Sequence, residues 1–475
     1  MRKQFSGYAP DLDDFEHPGL TVADNVVSDV EGYKPITLTS TVTPTGNLTS
    51  VDDISLANLG SEPGFNQQMC AWLSGGTLQI GINGVLRPSN TPGYPLSWSG
   101  PMLTQGMQPI NVVELNNQRF FTASAFGTTA TFLPEQLFVT GYMQWLPSQG
   151  APYTALAEPI GRVCGLINQF VFVGHLETPD DPFSVQWCAI GDPTNWPTPN
   201  TDAARAVQAG TQRFPLEFGF VTAIASNDFF GYIFQQRGIT KATYVGGDVV
   251  FAFDTFEEER GSVGPVLQID DMVFFESERG FHMLQNDQII DIGFGKVDAQ
   301  RPTLFNNSIT STREIVANTE RCLVFFQQTG LVYNYKTGEW TKVPAYLAQK
   351  MFTINDPDAT IGLARSDSSN NVELAVQVDG TPQEALLETG FYKFDQRQLV
   401  NGVRPLVTSG ETEVRVCTKG LFNDPVQESP WQYVESRSGE AHFRQEGRYL
   451  KVKTRINDFE TAIGFEADAR PSGSL

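Results

Sequence analysis

A chain of 475 residues with 40% apolar residues and 34 phenylalanines can bury a large core, which excludes a disordered protein, and it exceeds one ordinary domain. Its 32 basic residues stand against 54 acidic ones, a net charge of −22, which excludes a protein that grips nucleic acid through clustered lysine and arginine. The five cysteines, Cys70, Cys164, Cys188, Cys322 and Cys417, form no CxxC pair, so buried thiols are expected rather than a zinc knuckle or a redox dithiol.

Residues 1–60 read as an extended arm lying on a neighbour or on the chain's own far end. The stretch carries YAPDLDD, DNVVSDVEGYKP and a Thr/Ser-rich run from Thr37 to Ser50, where Pro, Gly and Asp interrupt any long element. No apolar stretch follows Arg2 and Lys3, so no secretory signal is expected. No run nears the roughly 18 apolar residues of a membrane span.

Residues 61–384 read as a β-propeller of six to eight blades. Short apolar runs bounded by turn residues recur at Met69–Ile82, Phe120–Phe126, Gln169–Val173, Phe229–Phe234, Met272–Glu276, Cys322–Gln327 and Thr360–Gln377. Segments starting at Asp228, Met272 and Leu323 share a strand, a polar turn with glycine (Gly238, Gly280, Gly330) and a second strand. Phe121, Phe172, Phe230, Phe274 and Phe325 mark the recurrence, at a spacing close to the ~40–50 residues of a four-stranded blade. A closed ring also leaves few sheet edges exposed in a long all-β chain. A pair of β-sandwiches is the alternative architecture. Helices are expected only at Thr201–Ala209 and Val343–Lys350.

Residues 385–475 read as a small antiparallel β domain. RYLKVKTRI puts Tyr449, Lys451, Lys453 and Arg455 on one face and Leu450, Val452, Thr454 and Ile456 on the other.

Chemistry-bearing patterns are few, and no residue is assigned to a catalytic, cofactor or metal site. The four histidines, His17, His175, His282 and His442, make no metal-spaced pair. No nucleophile elbow, phosphate loop or dinucleotide fingerprint occurs. Adjacent carboxylates at Asp13-Asp14, Asp52-Asp53, Asp180-Asp181, Asp270-Asp271 and Glu257-Glu258-Glu259 leave a glycoside-hydrolysis reading open, but such residues more often serve turns and solvated loops. DLDDF at 11–15 does not complete a calcium loop. The sequons at Asn47 and Asn306 are expected to stay unmodified without a signal.

Three segments carry a family resemblance. VQWCAIGDPTNWP (Val185–Pro197) resembles a recurring "SxxGDPTxW" segment of the hub, or packaged-DNA stabilisation, proteins of short-tailed bacteriophages, with Cys188 where a serine is common. The opening FSGYAPDLDDFEHPGLTVADNVVSDVEGYKP and the closing RYLKVKTRINDFETAIGFEADARPSG are similar to the ends of the same group. Together they cover about 70 residues in the expected order. Asp192-Pro193 is expected to open a tight turn in which Asn195 can tolerate a left-handed conformation and Trp196 plugs a core.

The resemblance implies a structural tail hub or nozzle subunit, not an enzyme, without a cofactor, in a virion tail assembled in the host cytoplasm. It implies a homohexameric ring below the portal-adaptor, tail fibre, spike or needle proteins around it, and transient passage of double-stranded DNA past an acidic wall. No channel-lining residue is assignable from sequence. The rivals are a glycan-binding or glycan-degrading propeller and a generic propeller interaction module.

Overall fold

The structure is a computed structural model that describes residues 1–15, 19–36, 159–226, 230–301, 315–343 and 384–472, apart from 248, 320 and 327–328. Between 37 and 158 and between 344 and 383 it describes the strand segments.

The fold is an all-β propeller with an N-terminal arm and a C-terminal antiparallel sheet. Seven four-stranded blades are present among the described residues. They begin at Ala57–Asn58, Gln108–Leu115, Ile160–Ile167, Val221–Ser226, Leu267–Ile269, Ile315–Asn318 and Lys350–Phe352. These first strands are innermost, and that of the first blade lies against that of the seventh, which closes the ring.

Each apolar run of the sequence contains much or all of a blade's second strand, as at Phe170–Thr178, Phe230–Gln235, Met272–Glu276 and Leu323–Phe326. A second strand is flanked within its blade and covered on both faces by neighbouring blades, so it reads as a continuous apolar run. Accordingly Phe172, Phe234, Phe274 and Phe275 have no exposed surface.

Ring closure uses distant chain. The seventh blade's outer strand is Ser40–Thr41 from the arm, paired with Ala375 and Val376. Blades three and four interlock through glycine: the Gly165 Cα faces Ile224, and the Gly231 Cα faces Ile167.

The sixth blade continues beyond the propeller. Its outer strand Glu339–Lys342 meets Leu20–Asp24 of the arm in parallel, and Leu20–Asp24 pairs antiparallel with Ala385–Thr389. That strand joins Ala441–Asn457, one of two 17-residue strands, the other being Tyr392–Thr408. The result is a 15-stranded sheet from blade to C-terminal domain. The chain's first strand, Arg2–Gln4, pairs with Thr461–Pro471 near its end. The arm therefore lies on the chain's own far end.

Of the two expected helices, Thr201–Ala209 contains the short helix Asp202–Ala206, capped by the Thr201 side chain. The other lies mostly outside the described residues.

Candidate functional site

The expected alternation in the C-terminal domain places Leu450, Val452, Thr454 and Ile456 in the core with no exposed surface. Its polar face is an ion-pair ladder rather than a solvated one. Lys451, with 7% of its side chain exposed, reaches Asp14 of the arm at 2.7 Å and Glu388 at 2.9 Å. Lys453 pairs with Glu388 and Glu428, and Arg455 with Glu384 and Glu413. Arg415 and Arg455 both lie over the Trp431 ring, 4.8 and 4.2 Å from its centroid. Phe15 stacks on Phe391 at 5.0 Å and meets Tyr449 edge-on, so aromatic contacts add to the ion pairs that pin the arm.

The carboxylate pairs do not converge on the propeller axis. Asp14 belongs to the ladder, and Asp13 accepts the Phe15 N–H. Asp181 receives Ser184 and Arg213. Asp270, at φ 51°, and Asp271 form a hairpin turn. Glu257 holds Arg260, and Glu259 holds Arg279. Asp52-Asp53, His17 and both sequons lie outside the described residues. The seven innermost strands contain one carboxylate, Glu114. Asp11 accepts the Ala299 N–H at 2.7 Å and so docks the arm on the blade five-to-six connection. Among the described residues no group of three or more His, Cys, Asp or Glu is placed to hold a metal ion.

The most developed polar cluster lies on blade five, around His282, which makes no metal-spaced pair in the sequence. The Ser277 hydroxyl is 2.6 Å from His282 Nε2, and His282 Nδ1 is 2.8 Å from Asp291 Oδ1. Asp291 also accepts from Arg260 at 3.1 Å. With Asp291 ionised, the network assigns the proton to Nδ1 and makes Nε2 the acceptor for Ser277. Burial, opposed by Asp291, pushes the His282 pKa down. Burial would raise the Asp291 pKa, but hydrogen bonds from His282 and Arg260 hold it below the usual carboxylate range.

This is the connectivity of a nucleophile–base–acid relay. Ser277, however, is 1% exposed, and its oxygen already accepts the Arg279 N–H at 2.9 Å. A nucleophile needs an open face, and here the serine seals a hairpin turn. The spacing of Ser277, His282 and Asp291 gave no sequence signal because the residues meet only when three consecutive strands pair.

Four further histidines and cysteines sit in structural surroundings. His175 Nδ1 is buried 3.0 Å from the Val221 carbonyl, and His442 is exposed 3.6 Å from Glu435. Burial pushes the Cys188 and Cys417 thiols up to about 12, which keeps them protonated and unreactive.

The GDPTNW turn sits between the third and fourth strands of blade three. Asp192 Oδ1 accepts from the Thr194 N–H and hydroxyl, and Trp196 Nε1 donates to the Pro193 carbonyl at 2.7 Å. Trp196 is half-buried against Cys164, Val171 and Cys188. The left-handed residue is Gly191, at φ 66°, not Asn195, because the reversal comes before the proline.

No protein-family model and no curated protein matches the chain. Among solved structures it is similar to the extracellular domain of a one-component system from B. thetaiotaomicron (11% identity, TM-score 0.35), covering 86% of this chain. The chain spans about half, 47%, of that relative's length. It is also similar to an exo-β-1,3-galactanase from Phanerochaete chrysosporium (7% identity, TM-score 0.27, 92% and 100% of the two chains). A third is a Trypanosoma rangeli sialidase (8% identity, TM-score 0.28, 92% and 93%).

The expectation that the chain is not an enzyme is corrected by these findings. Structures of glycoside hydrolases share its general strand arrangement, so an all-β propeller does not set catalysis aside. Likeness at this level concerns fold and transfers no activity.

Proposed function

We propose that the chain is an assembly subunit of a short-tailed bacteriophage tail, forming part of the hub or nozzle through which DNA leaves the capsid. The observation that carries this reading joins sequence to structure. The opening and closing segments that resemble the hub proteins are hydrogen-bonded into one sheet, Arg2–Gln4 and Gly32–Pro35 both pairing with Thr461–Pro471. The same sheet continues into blade six. A platform welded to a closed ring suits a part that bears load. The acidity also falls in one part of the sequence: residues 1–384 hold 20 basic against 41 acidic residues, and 385–475 hold 12 against 13. An acidic wall repels phosphate and lets a duplex slide. Under this reading the partners are further copies of the chain in a ring, a portal-adaptor, and fibre, spike or needle proteins.

The test is immunogold electron microscopy on particles of the source lysate. Gold confined to the tails of short-tailed capsids is expected; a protein that labels no particle and stays free in the soluble fraction overturns the reading.

A second reading, a propeller that binds or cleaves glycans, takes its substrate class from the galactanase and the sialidase to which the chain is similar. Glu114, on the innermost strand of blade two, is where such chemistry would begin. A two-carboxylate hydrolysis would need a second acid across the channel. Release of reducing sugar from host glycans by the wild type, abolished by Glu114→Gln, supports this reading; equal release by both proteins removes Glu114 from it.

A further inference from the structure

We propose that the propeller rim carries both halves of a head-to-tail contact between copies of this chain, an aromatic knob at Phe294 and a cleft between blades three and four that receives it. The inference rests on the assembly reading above and names its contact.

The knob is Phe294, 79% exposed on the connection between blades five and six. Its turn is rigid. Ile292 and Val297 on either side are buried, and the Gly293 carbonyl accepts the N–H groups of Lys296 and Val297 at 3.0 Å. A side chain at Gly293 would meet the Asp298 carboxylate, and Gly295 is left-handed at φ 66°. Phe294 is thus held outward, with little ordering entropy left to lose on docking.

The cleft, of about 470 Å3, opens on the connection between blades three and four. Phe214, Pro215, Leu216 and Phe253 supply apolar walls, and Arg213 stands at its margin. Leu216 is 56% exposed, so the wall is unpartnered within the chain. An aromatic ring suits this lining: it stacks edge-to-face on phenylalanine and offers its face to a guanidinium.

Charge selects the same pairing. Lys296 is exposed beside the knob, and Glu217 is exposed beside the cleft. Facing copies would bury both halves at once about a two-fold axis and stop at a dimer, whereas copies set side by side each give the knob to one neighbour and the cleft to the next. The contact is heterologous and propagates until a ring closes.

The test uses the full chain in sedimentation velocity over a concentration series, with Phe294→Ser and Leu216→Arg. Wild type is expected to associate progressively, and each variant alone to remain monomeric. Their equimolar mixture is expected to stop at dimers, because one intact knob meets one intact cleft and both other ends are blocked. The contact is overturned if the mixture stays monomeric, if either variant associates like wild type, or if wild type is monomeric throughout or stops at dimers. Tail labelling is scored separately, so a failed contact in a protein that labels tails leaves the tail reading standing.

Discussion

His282 and Lys451 show how buried polar side chains in this protein depend on their partners. His282 has a pKa lowered on folding, so the unfolded chain takes up a proton first as pH falls through about 6.5. Its contribution to stability is therefore present above that pH and lost as pH falls through the lower folded value. Protonation at Nε2 also removes the acceptor that Ser277 uses. The urea midpoint of wild type should fall between pH 7.5 and 5.5 by more than that of His282→Gln; equal falls would remove His282 as the cause. Lys451 is a different case, a nearly buried ammonium between two carboxylates. Lys451→Ala leaves Glu388 poorly solvated and should cost about 3 kcal/mol. Lys453→Ala, at a more exposed rung, should cost about 1 kcal/mol or less. Urea unfolding of the two variants side by side measures the difference.

Elements were legible in the sequence to the degree that their burial is local and two-sided. Second strands stood out because phenylalanine fills both of their faces, and the spacing of Phe172, Phe230, Phe274 and Phe325 followed directly from blade geometry. Innermost strands such as Leu267–Ile269 were silent, being short and packed against a neighbouring blade. The two-residue closing strand Ser40–Thr41 could not be read, since its pairing with Ala375 and Val376 bridges more than 330 positions. Nor could the interlock of Gly165 on Ile224 and Gly231 on Ile167, because its meaning depends on which blade comes next. A Cβ at Gly165 would come within 2.4 Å of Ile224 Cγ2 and 3.3 Å of the Ile224 carbonyl oxygen. Gly165→Ala should therefore force the two blades apart and cost roughly 1–3 kcal/mol. Ile224→Ala, which removes the Cγ2 methyl, should make the double variant less destabilised than the sum of the two single changes; a purely additive loss would place the strain elsewhere.

For the whole molecule, the decisive feature is that the arm is structural in three places at once. It contributes Phe5, Tyr8, Leu20, Ala23, Val26 and Tyr33 to the core that joins blade six to the C-terminal sheet. Its Leu20–Asp24 strand lies between the propeller and Ala385–Thr389, and its Ser40–Thr41 strand completes blade seven. Removing residues 1–35 would spare the ring closure but bare Leu387, Trp340 and Phe465 and leave the edges of two sheets open. Such edges recruit other chains. The truncated chain should bind a hydrophobic dye and aggregate, whereas a peptide of residues 1–35 added during refolding should restore solubility. Rescue is expected to weaken when that peptide carries Val22→Pro, because proline removes an N–H from the strand that bridges propeller and platform. A truncated chain that melts cooperatively at the wild-type temperature without peptide would show that the arm only rests on the core and does not complete it.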